Sequence, residues 1–185
     1  MSIKNVNIKK KLLQGFTLVE LLIVVIILSI LAAIVIPQFS ASTDDAKTAS
    51  AQSTLANLRS MIGLYYQQHG VYPGNGTAVS GDACTGTKGT GDGLIANAAQ
   101  TFTDQLTLYT NNAGGACSIS DTVNHRFGPY YKKTTLPSDP FMDVATLTVI
   151  ETGNLLMTAD GTDGGWKYDR KTGKIIINHT SYDDL

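Results

Sequence analysis

The chain has 185 residues, of which 43% are hydrophobic and only 16% are charged, and its formal net charge is −1. Four of its 14 basic residues precede Gly15, so the rest of the chain carries ten basic against 15 acidic residues, a net charge of about −5. This balance argues against nucleic acid as the main partner, because nucleic-acid-binding domains usually present a basic face. The length allows one membrane helix and one further domain.

A short basic segment, with four lysines between residues 4 and 11, is followed by an almost uninterrupted apolar run. The run from Phe16 to Ile36 is about 21 residues long, so as a helix it measures roughly 31 Å at ~1.5 Å per residue. That length matches the hydrocarbon core of a bilayer, on the order of 30 Å. Because lysines beside a membrane helix stay cytoplasmic, the chain after Pro37 is predicted to lie outside the cytoplasm.

Glu20 is the one ionisable residue inside this apolar run. A carboxylate in a membrane helix costs on the order of 2.5–3.5 kcal/mol on insertion scales. Glu20 therefore either reaches the membrane surface, because it lies near the helix end, or meets a cationic partner from another chain. The amino group exposed by a cut after Gly15 would be such a cation.

The order Gly15-Phe16-Thr17-Leu18-Val19-Glu20, with basic residues before it and the apolar run behind it, resembles the class III signal of type IV prepilins and type II secretion pseudopilins. The resemblance implies that a membrane-embedded prepilin peptidase cuts after Gly15 and N-methylates Phe16. It also implies that Thr17 and Glu20 serve assembly, where Glu20 neutralises the N-terminal amine of a neighbouring subunit. Ordinary secretory signals are cut after their apolar region, whereas here the apolar helix would stay in the mature protein.

Pro37 either ends this helix at the membrane surface or kinks a longer one. Helical periodicity resumes after it, with apolar side chains every three or four residues. These are Leu55, Leu58, Ile62 and Tyr65. We therefore predict one helix from about Thr17 to Gln68, kinked near Pro37, whose apolar stripe is covered by a head domain. In the resembled family this helix is the N-terminal spine.

A second helix is predicted beyond the glycine that ends the first one, Gly70. Residues 75–93 are rich in Gly, Thr and Ser and are predicted to form a surface loop. The helix is expected from Leu94 to Asn111, with Asp92 as its cap. Its apolar side comprises Leu94, Ile95, Ala98, Phe102, Leu106 and Tyr109.

Cys84 and Cys117 bracket this second helix and are the only cysteines. The predicted topology places both outside the cytoplasm, where disulfides persist. A bond between them would close a loop of roughly 34 residues and stabilise the fold by about 3–4 kcal/mol in the chain-entropy model. A pair of free thiols is the alternative. Such a bond departs from the commonest type IV pilins, whose disulfide closes a loop near the C-terminus.

The C-terminal part predicts a sheet. Gly128-Pro129-Tyr130, followed by Leu136-Pro137-Ser138-Asp139-Pro140, resembles the major pseudopilin of type II secretion and related pilins, although Phe141 stands where that family has Trp. Strands are predicted at 145–150 and 154–158, and a hairpin at 166–178 with its turn at Gly173. The predicted fold class is α+β and type IV pilin-like, with a long helical spine under a head with an antiparallel sheet of about four strands.

Asp160 and Asp163 lie in a glycine-rich loop and are candidate calcium ligands. Type II major pseudopilins carry a calcium loop at this place, but theirs is longer and more acidic, so we favour a plain hairpin loop and no cofactor. The three histidines show no metal-ligand spacing. Because no nucleophile motif, phosphate loop or acid–base pair stands out, the chain is predicted not to be an enzyme.

These elements divide the chain into five consecutive regions. They are a prepilin leader (1–15), the transmembrane part of the spine (16–36), its amphipathic part (37–69), an αβ-loop region with the second helix (70–126), and an antiparallel sheet with the C-terminal hairpin (127–185).

Three functional interpretations remain open. The first is a structural subunit of a type IV pilus-type filament that serves adhesion, motility or DNA uptake. The second is a major pseudopilin of the periplasmic type II secretion piston, and the third is a membrane-anchored binding head that does not polymerise. For the first two, the resemblance implies as partners copies of the chain, minor pilins or pseudopilins, prepilin peptidase and an inner-membrane assembly platform. The subunit would wait in the inner membrane with its head outside, then enter an extracellular pilus or a periplasmic pseudopilus.

Overall fold

The computed structural model describes residues 15–81 and 83–185, so the predicted leader, apart from Gly15, lies outside the described residues. The chain divides after Asp44 into two compact units. One helix, α1, spans Leu18–His69 and so differs by one residue at each end from the predicted span. The predicted kink near Pro37 stays a prediction.

As far as it is described, the N-terminal unit consists of residues 15–17 and the first part of α1, up to Asp44. Every side chain from Leu18 to Val35 is exposed. By length and composition this stretch is suited to cross a membrane. Its only polar side chain after Glu20 is Ser29, whose hydroxyl donates to the carbonyl oxygen of Val25 at 2.7 Å. That bond satisfies the hydroxyl within the helix.

The second unit, Asp45–Leu185, contains the hydrophobic core. The predicted stripe on α1 is confirmed, because all four of its side chains are buried. Buried aromatic and aliphatic side chains from the rest of the unit pack against it. They are Phe102, Leu106, Leu136, Trp166, Tyr168, Ile175 and Ile177. Burial of this stripe stabilises the fold by about 1.5–3 kcal/mol for each large apolar side chain.

The second helix is shorter than predicted. A 3₁₀ turn, Ile95–Asn97, precedes α2, which spans Ala98–Thr107. The carboxylate of Asp92 accepts hydrogen bonds from the Leu94 N–H and the Asn97 side chain, so it does not cap α2 as predicted but holds the residues around the 3₁₀ turn. Leu94 and Ile95 are 64% and 46% exposed, against the prediction that they face the core.

The C-terminal end of α2 is set by tertiary hydrogen bonds. In a longer helix the Thr110 N–H would donate to the carbonyl oxygen of Leu106. Instead, this oxygen accepts from the N–H groups of Tyr130 and Tyr131, at 2.9 and 2.8 Å, and the Thr110 N–H donates to Phe127. Thr110 consequently belongs to the short strand β1, Tyr109–Thr110, which pairs antiparallel with β2, Ala116–Cys117.

The main sheet has three strands where about four were predicted. They are β3 (Leu147–Ile150), β4 (Trp166–Asp169) and β5 (Ile175–Ile177), in the order β3-β4-β5. The β4–β5 hairpin is confirmed and turns at Gly173, whose φ of 73° suits glycine. However, β3 pairs with β4 in parallel, so the sheet is mixed and not purely antiparallel.

The strand predicted at 154–158 does not form, because side chains of the hairpin bind its backbone. The Asn154 N–H donates to the Asp169 carboxylate, and the Lys174 ammonium donates to the Leu155 carbonyl oxygen at 2.7 Å. The segment is thereby held as an irregular connection between β3 and β4.

Cys84 and Cys117 form a disulfide, as predicted, and no cysteine is free. The bond ties the loop after α1 to β2. Backbone hydrogen bonds support the same attachment, because the Gly89 N–H donates to Ala116 at 2.9 Å and the Ala116 N–H donates to Ala78 at 2.8 Å. The described parts of the loop on both sides of residue 82 are therefore attached to β2.

Candidate functional site

The predicted assembly residues meet at the first turn of α1. The backbone N–H of Thr17 donates to Oε2 of Glu20 at 2.8 Å, and the Thr17 hydroxyl donates to the same oxygen at 2.7 Å. In return, the Glu20 N–H donates to the Thr17 hydroxyl oxygen at 3.2 Å. This reciprocal pattern is a capping box, which satisfies N–H groups that a helix start leaves without partners.

The capping box gives Glu20 a role within its own chain that the sequence analysis missed. The signal was present, because Thr followed three residues later by Glu before an apolar run is the pattern of such a box. The carboxylate also lies at the positive end of the helix dipole, where a negative charge is favoured. Within the described residues, Oε1 of Glu20 accepts no hydrogen bond, so one oxygen remains able to bind an external cation.

The predicted cleavage point lies just before this turn. Gly15, Phe16 and Thr17 precede the helix, and the Phe16 side chain is 78% exposed. A peptide bond outside regular structure can enter an enzyme's active site without unfolding the helix that follows it. The Gly15–Phe16 bond is therefore exposed just before the first turn of α1, and cleavage there stays a prediction.

The two candidate calcium ligands have different surroundings. The Asp160 carboxylate forms an ion pair with the buried ammonium group of Lys167, which also donates to the Thr158 carbonyl oxygen at 2.9 Å. Asp163 is exposed. Over residues 15–81 and 83–185, no cluster of three or more His, Cys, Asp or Glu side chains is placed to bind a metal. A lysine already supplies the positive charge beside Asp160. The preference for a plain hairpin loop over a calcium site stays a prediction.

Buried carboxylates that sequence reasoning did not identify organise the head. Asp139, from the Leu-Pro-Ser-Asp-Pro segment, is fully buried. It accepts hydrogen bonds from the N–H groups of Phe141, Met142 and Gly165 at 2.8–3.0 Å. This motif thus anchors the chain to the start of β4. Nothing in the sequence marks Asp139 as buried, because its partners come from tertiary structure.

Asp169 has a similar role at the end of β4. Its carboxylate accepts hydrogen bonds from the Thr152 hydroxyl and from the N–H groups of Gly153 and Lys171. Burial by itself raises the pKa of Asp169, but these hydrogen bonds to the charged form outweigh it, so the pKa lies below its ordinary value. The ionised carboxylate therefore holds the β3–β4 connection in place.

The Gly-Pro-Tyr segment ties the end of α1 to the head. Nε2 of His69 lies 3.0 Å from the Thr110 hydroxyl and 3.1 Å from the Tyr130 hydroxyl, and Tyr130 donates to Gln68 at 2.5 Å. The His69 ring also stacks on Tyr65, with ring centroids 4.1 Å apart. Burial lowers the pKa of His69, which favours the neutral imidazole.

Residues 12–36 match the model of the prokaryotic N-terminal methylation motif. The chain is 40% identical over 65 residues to a fimbrial protein of Neisseria meningitidis serogroup B, which covers 35% of this chain and 38% of that protein. It is 35% identical over 76 residues to the type IV major pilin protein PilE of Neisseria gonorrhoeae. This match covers 41% of this chain and 46% of that protein. It is 38% identical over 60 residues to the type II secretion system core protein G of Pseudomonas aeruginosa. This match covers 32% of this chain and 42% of that protein.

These matches span less than half the length of each relative. No solved structure is significantly similar to the chain. The N-terminal segment is similar to that of fimbrial proteins, type IV major pilins and a type II secretion system core protein, and the fold is α+β with the pilin-like order of a long helix followed by a sheet. The relatives are named as filament or secretion-system proteins, not as enzymes.

Proposed function

We propose that the chain is a structural subunit of a type IV pilus-type filament, which serves adhesion, motility or DNA uptake. The observation that carries the proposal is the exposed apolar stretch Leu18–Val35, which lies within the matched methylation motif. Such a surface is stable only when lipid or other apolar helices cover it. A subunit that is stored in a membrane and then bundled with its copies meets both conditions in turn.

The proposed route begins with prepilin peptidase, which cuts after Gly15 and methylates the amino group of Phe16. The subunit stays in the inner membrane, with its head outside, until an assembly platform extracts it together with minor pilins. In the filament, Glu20 pairs with the N-terminal amine of a neighbouring subunit. A buried unpaired charge is strongly destabilising, so this pairing sets the axial position of each subunit. The proposal requires no cofactor and no enzymatic activity of the chain itself.

The decisive experiment is electron microscopy of intact cells that express the chain, with antibodies against the head. Long surface fibres that carry the antibody are the expected result. If the protein stays in the membrane fraction as single subunits with an uncleaved leader, the chain is instead an anchored head that does not polymerise.

The second candidate function is the major pseudopilin of type II secretion. Two observations favour it: the Gly-Pro-Tyr and Leu-Pro-Ser-Asp-Pro segments, and the similarity to core protein G of Pseudomonas aeruginosa. A pseudopilin builds a short periplasmic assembly, so cells would carry no surface fibres at native expression. Deletion of the gene would then block protein secretion and leave surface attachment unchanged.

A further inference from the structure

Only one face of the β4–β5 hairpin belongs to the hydrophobic core. The core side chains on it are Trp166, Tyr168, Ile175 and Ile177. Side chains alternate between the two faces of a strand, and residues that are directly paired share a face. Lys167 is paired with Ile176, so this pair lies on the other face. Asp169 and Lys174 each lie two residues from one member of the pair, so they belong to the same outer face.

The charged side chains of this outer face bind the backbone of the connection between β3 and β4. The Asp169 carboxylate accepts hydrogen bonds from the N–H groups of residues 153 and 154, at 2.7 and 3.2 Å. The Lys174 ammonium group donates to the next carbonyl oxygens along the connection, those of Leu155 and Met157, at 2.7 and 3.4 Å. The negative side chain therefore binds donors of the connection, and the positive side chain binds acceptors.

Lys167 continues this pattern towards the end of the connection. Its ammonium group donates to the Thr158 carbonyl oxygen at 2.9 Å and forms an ion pair with the Asp160 carboxylate. The Lys167 side chain is only 10% exposed, so these oxygens compensate for the water that the buried charge has lost. In the stretch 155–160, three carbonyl oxygens and one carboxylate thus bind two ammonium groups.

These oxygens are of the kind that calcium binds, but they are already in use. Calcium takes about six to eight carboxylate, carbonyl or water oxygens. Here N–H donors of two lysines bind the candidate oxygens, and the side-chain oxygen of Asn178 accepts from the Asp160 N–H at 2.9 Å. The two ammonium charges would also repel a divalent cation. The residues of this connection therefore do not fit a calcium ion.

We infer that the ammonium groups of Lys167 and Lys174 take the place of a bound cation in this connection, so the stability of the head does not depend on calcium. An ammonium group supplies a positive charge and three N–H donors, which satisfy backbone oxygens that the irregular connection leaves without strand partners. A covalently attached cation cannot dissociate, so the connection keeps its conformation at any calcium concentration. The inference concerns the folding of the second unit and does not depend on the proposed filament.

The first test compares urea unfolding of the full chain in detergent with millimolar calcium chloride and with a calcium chelator. A structural calcium ion present at about 100 times its Kd would change the unfolding constant about 100-fold. The inference predicts the same urea midpoint in both buffers. A midpoint that rises with calcium would overturn it, because the head would then bind the metal.

The second test removes each ammonium group but keeps an unbranched side chain. Lys167→Met should shift the unfolding equilibrium towards the unfolded state at least about tenfold, because a buried group loses hydrogen bonds to a charge. Lys174→Met should cause a smaller shift in the same direction, because its bond to Leu155 is exposed. The matched control is Lys171→Met in the turn of the same hairpin. Lys171 is exposed, and its ammonium group forms no hydrogen bond or ion pair with the described residues, so this variant should keep the parental midpoint.

Parental midpoints for both Lys167→Met and Lys174→Met would overturn the inference, and so would a shift of equal size in Lys171→Met. If Lys167→Met does not accumulate, Lys174→Met and the calcium comparison still allow refutation. Failure of the proposed function is distinguishable, because a chain that forms no filaments in cells can still be unfolded in detergent and can still show the predicted midpoints.

Discussion

The two roles of Glu20 can be separated by one pair of substitutions. The structure gives its carboxylate a capping role, through hydrogen bonds of 2.8 and 2.7 Å from Thr17. The proposed filament gives it a second role, as the partner of a neighbour's N-terminal amine. Glu20→Gln retains a side-chain oxygen for the cap but removes the charge, because Gln also serves in capping boxes. Glu20→Ala removes both.

The expected magnitudes differ widely. Loss of the cap costs about 0.5–2 kcal/mol of helix stability, and only the Ala variant should suffer it. Loss of one partner from a buried ion pair costs about 3–5 kcal/mol, because the other charge stays buried and unpaired. Even about 3 kcal/mol corresponds to a factor of more than about 100 in an association constant. Both variants should therefore lose filaments almost completely.

The assay is the amount of sheared filament per cell, measured by quantitative immunoblot beside the amount of processed subunit in the membrane fraction. Both variants should be processed and should accumulate in the membrane, since their heads are unaltered. Parental filament yield from Glu20→Gln, together with failure of Glu20→Ala, would refute charge pairing and leave the helix cap as the function of Glu20.

Three further predictions concern the second unit, each measured by urea unfolding of the full chain in detergent. Replacing both Cys84 and Cys117 by Ser should lower the free energy of unfolding by about 3–4 kcal/mol; an unchanged midpoint would contradict a stabilising disulfide. Burial holds the pKa of His69 below its ordinary value, so the unfolded chain binds the proton first and stability should fall as the pH drops below about 6.5. His69→Gln should reduce this pH dependence, and an identical pH profile would refute the assignment. Asp139→Asn should destabilise by about 1.5–3 kcal/mol, because the fully buried carboxylate accepts several backbone hydrogen bonds. The exposed Asp163→Asn is its control, and equal midpoints for the two variants would contradict the anchoring role.

Local sequence patterns predicted the elements whose partners lie nearby in the chain. The stripe on α1 was correct because helical spacing alone decides which side chains share a face. The hairpin at Gly173 was correct because its turn requires φ above zero, which glycine adopts freely. The capping contact between Thr17 and Glu20 is equally local, because Thr followed three residues later by Glu is the pattern of a capping box.

Tertiary contacts decided the elements that the sequence mispredicted. Apolar spacing continued to Tyr109, but Leu106 gives its carbonyl oxygen to the Gly-Pro-Tyr segment and the helix stops at Thr107. The predicted strand at 154–158 was displaced by bonds to Asp169 and Lys174. Such contacts join residues that are distant in sequence, so neither periodicity nor intrinsic propensity could reveal them.

The first measurement to make is the intact mass and the N-terminal sequence of the mature protein, isolated from cells under non-reducing conditions. The account predicts a chain that starts at N-methylated Phe16 and is two hydrogens lighter than the reduced form, because Cys84 and Cys117 are bonded. A mature chain that retains Met1 and the lysines before Gly15 would contradict prepilin processing and, with it, the proposed filament.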